Sequence, residues 1–436
     1  MPVQIVSPAV ESSAHHAAAR RPSPWREAVA GAGRYALSAA GPVCMSGAHF
    51  LAAVLVLHTL SPIHFGYFSF VMTVVPFCVS AAAALIGAPT TIGIRKRGHV
   101  DAAELATFQT ANLVLALFAF AAVTAALLAS GLRLAPSALF GLYGATMSLR
   151  WLGRVYAYAT EAPGRAAASD VLYGALLVAG LGVLYLLDRM TMLNAALVLL
   201  AAAAGSLAAF DRAYLAKQLA PGGRLADYAP VWRELTRWSL LGVAASELTI
   251  NAHAYFVTFF DGPAAFALPA LGSLLMRPVA VVLASLPDLE RPRMAKALAR
   301  GDFEGSFRAV KEFRTAAAAV LAGTILIAAA LLFWFPSLVL KQGYDASQAW
   351  VILGLWAAIM AIRAARTPDA VLLQAAGQFQ PLAAIGMKAA LVSLVATLVL
   401  LLAFGPIASL LGIFAGDVAM TAGIFRQSRA WKHGHG

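Results

Sequence analysis

Arg277 lies near the middle of an apolar stretch running from about Pro263 to Pro287. A guanidinium at that depth in lipid costs roughly 2.5–3.5 kcal/mol even on lenient insertion scales. It is therefore expected to face protein or water. Its planar fork suits phosphate, to which it donates two hydrogen bonds at once. Pro278 follows directly, which predicts a kink there. The structural alternative is a buried ion pair, with Glu247 on the preceding apolar stretch as the candidate partner.

Other charges sit in apolar surroundings. Glu247 shares a helix face with Asn251, four residues on, with His253 nearby. It reads either as a proton or sodium site or as the structural partner of Arg277. Arg363 and Arg366, three apart, read as a phosphate clamp, or Arg366 snorkels to headgroups. Lys388 either snorkels or pairs with Asp417. Arg150 and Arg154, four apart, form a basic stripe that would receive diphosphate at a cavity mouth, or serve orientation alone. Asp417 and Asp369 join Glu247 as candidates for ion coupling. His49 and His58 read as hydrogen-bonded interior histidines. Trp151, Tyr156 and Tyr158 can stack on sugar rings, although aromatic belts also mark membrane interfaces.

Enzyme signatures are missing from the sequence: no HExxH, Walker A, GxSxG or paired-cysteine metal spacing occurs. Cys44 and Cys78 lie in apolar blocks and read as small buried apolar groups. The chain is expected not to be an enzyme and to need no cofactor or metal.

The elements that must carry these residues are membrane helices. The 436 residues are 61% hydrophobic and 12% charged, with a mean hydropathy of +0.77. Soluble domains carry about 25% charged residues. The apolar blocks are each long enough to cross a bilayer as a helix and too continuous for barrel strands. Twelve spans are predicted: Arg34–Leu60, Pro62–Ile94, Ala102–Ser130, Pro136–Thr160, Arg165–Leu187, Thr191–Leu219, Tyr228–Phe260, Pro263–Leu289, Phe303–Phe335, Ser347–Ala376, Pro381–Phe404 and Pro406–Gln427.

The net charge of +12 points to orientation rather than to nucleic acid. Basic residues crowd the loops of one side, as in Arg95-Lys96-Arg97, while the other side holds only Arg133, Arg189 and Lys341. The positive-inside rule then puts both termini in the cytoplasm. The polar first thirty residues lack a signal-peptide pattern and read as a cytoplasmic tail. The loops of the opposite side leave no room for a separate domain.

A weak internal repeat divides the chain. Phe65-Gly66-Tyr67-Phe68 opens the second span and Asp261-Gly262-Pro263 the eighth, with Pro89 and Pro287 near their far ends. Each span leads to an Arg-Gly, Arg97-Gly98 or Arg300-Gly301. An acid pair then opens the next helix, Asp101 with Glu104 or Asp302 with Glu304, in keeping with the helix dipole. The predicted organisation is a tail over residues 1–33, a six-helix lobe over 34–219, a linker over 220–227, a second six-helix lobe over 228–427, and a tail over 428–436. Such two-lobed transporters place their substrate between the halves.

These features resemble a family. Phe65-Gly66-Tyr67-Phe68, the long span with Pro89 and the Arg-Lys-Arg-Gly loop are similar to the polysaccharide flippases. So are Ala299-Arg300-Gly301-Asp302-Phe303-Glu304 and Leu373-Gln374-Ala375-Ala376-Gly377-Gln378-Phe379. These are the Wzx-like, O-antigen-type transporters of the multidrug/oligosaccharidyl-lipid/polysaccharide (MOP) exporter superfamily. The resemblance implies an all-α polytopic membrane protein with twelve transmembrane helices in two six-helix lobes, the MATE-like MOP fold. It implies a cationic central cavity and transfer of a lipid-linked oligosaccharide across a bacterial inner membrane by alternating access. The polyprenyl tail would stay in lipid between the first and eighth spans.

On this reading Arg277, Arg363, Arg150, Arg154 and Lys388 form the substrate site, and Glu247, Asp417 and Asp369 are the ion-coupling candidates. Protons or sodium would couple, and a polysaccharide polymerase and glycosyltransferases would be partners. Two alternatives remain: a cation-coupled multidrug exporter of the same superfamily, and a membrane glycan polymerase or ligase. The excess of intramembrane Arg and Lys speaks against the first, and the short loops against the second.

Overall fold

The computed structural model describes residues 41, 44–87, 89, 90, 101–160, 162–340 and 345–434. The Arg95-Lys96-Arg97 loop, Lys341, and the tail at 1–33 lie outside the described residues. The helices are α1 (Cys44–Thr59), α2 (Pro62–Ala82), α3 (Ala102–Ala129), α4 (Leu134–Ala159), α5 (Pro163–Leu186), α6 (Met192–Ser206) and the short α7 (Arg212–Leu219). They continue with α8 (Arg237–Phe260), α9 (Pro263–Leu275), α10 (Arg277–Ala299), α11 (Phe303–Trp334), α12 (Ala346–Ala375), α13 (Phe379–Phe404) and α14 (Ser409–His433). No strand occurs among the described residues.

Among the described residues eight helices are long and apolar enough to cross a membrane, or nine if α9 and α10 form one bent span. With that pair counted once, the order of long helices follows the twelve predicted spans. Several boundaries differ from expectation: α8 begins at Arg237 rather than Tyr228, and α14 runs on to His433, into the residues 428–436 expected as a tail. The sixth span does not reach Leu219: α6 ends in a 3-10 turn at Leu207–Ala209, and Asp211 then caps a separate α7 through the Ala213 amide (2.8 Å). The eighth is no continuous rod to Leu289. It breaks at Met276 by 57°, and its second part runs to Ala299. Pro278 has no amide hydrogen to give the Leu274 carbonyl, so the hydrogen-bond ladder of α9 cannot continue across it.

The acid pairs do open helices. Asp101 caps α3 with Glu104 in the first turn, and Asp302 caps α11 with Glu304 in the first turn. Each caps free backbone amides with a carboxylate, which also suits the helix dipole.

Helices α1–α6 pack into one lobe and α8–α14 into another, with α2 against α8 and α9 as the main contact between them. This contact is tightest at Gly66, where an added Cβ would lie 1.8 Å from the Pro263 carbonyl oxygen. Phe65, Phe68, Phe266 and Ala267 are buried around it. The lobes are thus shut at the end where α2 and α9 begin. At the opposite end α2 finishes in a π-helical turn at Ala83–Gly87, which meets another at Trp232–Thr236, before α8. The segment between the lobes lies under the first: Thr110 donates to the Gly223 carbonyl (3.0 Å) and Tyr228 to that of Leu85 (2.5 Å).

Candidate functional site

The break between α9 and α10 sets the position of Arg277. The 13 residues of helix from Pro263 to Leu275 correspond to about 20 Å of rise, a length that ends inside a hydrocarbon core of about 30 Å. Arg277 is half-buried there and lines two cavities. The larger, of about 810 Å³, runs along α2 from Met72 to Ala84 and along α8 from Ser246 to Ser239, away from the shut end. The smaller, of about 70 Å³, lies toward the shut end and is lined by His49, Asn251, His253 and Arg277 among others. Among the described residues that line the two cavities, Arg277 is the only Lys, Arg, Asp or Glu.

His49 and Met72 also line both cavities. The His49 Nε2 lies 2.7 Å from the Tyr173 hydroxyl, which lies 2.9 Å from that of Tyr143. Tyr143 reaches the larger cavity beside Trp151. His49 is therefore an interior histidine with a hydrogen-bond partner, as its sequence context suggests. Tyr156 is stacked on Tyr214 instead, with centroids 4.6 Å apart, and Tyr158 is exposed. Of the three aromatics singled out in the sequence, Trp151 lines the cavity.

The other sequence candidates are placed differently. Glu247 does not pair with Arg277. Its Oε1 accepts from Asn251 (2.9 Å) and Tyr255 (2.5 Å), both on its own helix. Among the described residues Arg277 forms no ion pair.

Arg150 and Arg154 do not stand at a cavity mouth. Both are buried and clasp one carboxylate, Asp170 on α5, at 2.5 and 3.0 Å. Arg150 also donates to Ser169 (3.0 Å) and lies over the Tyr173 ring.

Arg363 and Arg366 form a matching group in the second lobe. Arg363 Nε donates to Asp417 (2.8 Å) and Arg366 to the other oxygen of the same carboxylate. Asp417 is thus fully engaged and does not meet Lys388, which is exposed on α13. Asp369 accepts from Arg314, Ser428 (2.6 Å) and Lys432 (2.9 Å), tying α12 to α11 and α14. Burial without such partners would be costly for each of these ions. Asp170 and Tyr173 carry no motif, but a carboxylate inside the apolar α5 is itself the signal that singled out Arg277.

The arrangement can hold an anion. A guanidinium with no carboxylate partner stands at the deep wall of a cavity that also offers His49, Tyr143, Trp151 and several serines. That volume falls within the usual range for ligand sites, about 300–1,000 Å³.

No family model matches the chain, and no curated protein sequence does either. Solved structures do match. The lipid II flippase MurJ in an inward closed conformation superposes with a TM-score of 0.68 at 9% identity, covering 90% of this chain and 87% of that one. A multidrug resistance MATE family transporter of the MOP superfamily, in its inward-facing conformation, gives 0.61 at 12% identity over 89% and 95%. A MOP superfamily transporter from Pyrococcus furiosus, described as having a binding pocket of reverse polarity, gives 0.59 at 13% over 92% and 95%. At such identities the likeness concerns architecture: the chain has the all-helical, two-lobed membrane fold shared by the MATE and MurJ transporters of the MOP superfamily.

Proposed function

We propose that this protein is a flippase that moves a polyprenyl-diphosphate-linked oligosaccharide across a bacterial inner membrane by alternating access, as the Wzx-like resemblance implies. The observation that carries this reading is Arg277, the one Lys or Arg among the described residues of a cavity lining in which none of them is a carboxylate. The guanidinium would take the diphosphate, while Trp151, Tyr143 and the serines would contact sugars. The tail would remain in lipid at the gap between the lobes. With the basic loops in the cytoplasm, the larger cavity opens inward and the Gly66–Pro263 contact closes the outer side. Transport then needs only a substrate that binds the two states with different affinity.

The multidrug reading draws support from the shared MATE fold, yet a cationic drug would meet a cation here and no acid. Arg277→Ala separates the two. Removing the charged partner of a buried anion costs about 2–5 kcal/mol, roughly thirty-fold or more in affinity. In a strain dependent on this gene, surface polysaccharide should be lost and drug tolerance unchanged. Intact polysaccharide with altered drug tolerance would instead support the exporter.

A further inference from the structure

The charges in the cavity do not balance for the substrate proposed above. A diphosphate joined to a lipid on one side and a sugar on the other keeps two negative charges near neutral pH. Arg277 supplies one positive charge, and no other Lys or Arg among the described residues lines either cavity. An uncompensated charge carried through a low-dielectric interior is costly. A second positive charge at the same wall would balance it.

His49 stands at that wall. It shares both cavity linings with Arg277. Its Nε2 meets the Tyr173 hydroxyl, and a hydroxyl both donates and accepts, so this contact persists whether or not the nitrogen carries hydrogen. The Tyr143 hydroxyl behind it can reorient in step. The titratable and charged groups around His49 are Tyr143 and Arg150 from α4, Tyr173 and Asp170 from α5, Arg277 from α10, and His253 from α8 across the smaller cavity. Asp170 is already held between two guanidiniums. An arriving anion therefore changes the electrostatic balance at this imidazole. His253 is less suited, since it is wedged against Phe266 and Trp356 and lines only the smaller cavity.

We propose that His49 is the proton acceptor of the cavity: when a diphosphate settles against Arg277, the imidazole takes a proton from solvent, and anion and proton occupy the site as a pair. The proton arrives through water in the open cavity and adds to the ring nitrogen that lacks one, leaving two N–H donors. No covalent bond forms or breaks in the substrate. The pair leaves the site electrically balanced beside Arg277. The proposal rests on the phosphate reading of the cavity.

Calorimetric titration of the full chain in detergent with geranyl diphosphoryl-glucose tests it. This diester does not change charge around neutral pH, so proton uptake belongs to the protein. Comparing buffers of different ionisation heat should show uptake approaching about one proton per anion wherever the free imidazole is neutral and the bound one charged, with affinity weakening by up to about tenfold per pH unit across that window. His49→Gln should bind more weakly, with no proton uptake and a flat pH profile. Wild-type binding without proton uptake overturns the proposal, as does uptake that persists in folded His49→Gln. The wild-type buffer series decides even if that variant does not fold. No binding to the wild type, or binding indifferent to Arg277→Gln, overturns the phosphate reading and this proposal with it.

Discussion

Asp417 answers two guanidiniums, those of Arg363 and Arg366, with a side chain that is 0% exposed. Asp417→Asn leaves one buried and one half-buried cation facing a neutral amide. Loss of one partner from such a group costs about 3–5 kcal/mol, so the unfolding midpoint in detergent should fall sharply. Replacing Arg363 and Arg366 by Met in the same variant should restore most of it, because apolar residues of similar volume replace buried ions at little net cost. A small effect of Asp417→Asn alone would mean that water already screens the group. The sequence revealed that these charges must be met, since they interrupt apolar blocks. It did not reveal by what. Asp170 is 20 positions from Arg150 and Asp417 is 51 from Arg366, and only the folded helices decide which faces meet. Lys388 illustrates this: α13 adjoins α14, yet Asp417 is held by α12.

At the scale of elements, most long helices were legible, because apolar length and capping acids mark them. The kink at Pro278 was legible too, since a proline leaves its own local signature. The break before α7 was not, because apolar residues resume after Asp211-Arg212 and hide the turn that the Asp211 cap marks. Gly66 is the element-level position most open to test. A side chain there would collide with the Pro263 backbone, which cannot retreat as a flexible side chain would. Gly66→Val should therefore hold α2 and α9 apart. Spin labels at Ser61 and Asp261, with Cys44 and Cys78 replaced, should show a longer and broader distance than in the same protein with Gly66. An unchanged distance would mean that the helices slide past the added methyl groups.

For the whole molecule, the sequence pattern and the structure agree on two helical lobes, and the charge bias adds an orientation that no contact within the fold reports. The proposed topology expects both chain ends in the cytoplasm. A fluorescent protein fused after Gly436 should glow, and a phosphatase that needs oxidising conditions should stay inactive there; the reverse pattern would invert the assignment of sides.

The meeting of Gly66 with Pro263 has a wider consequence. Backbone held against backbone relies on attraction that fades within an ångström, and close-packed interfaces switch rather than stretch. Such a seal is either tight or gone, with no stable half-width through which hydrated ions could trickle. For a protein that alternates as proposed, such a seal would let a membrane that stores energy as a voltage host it without being short-circuited.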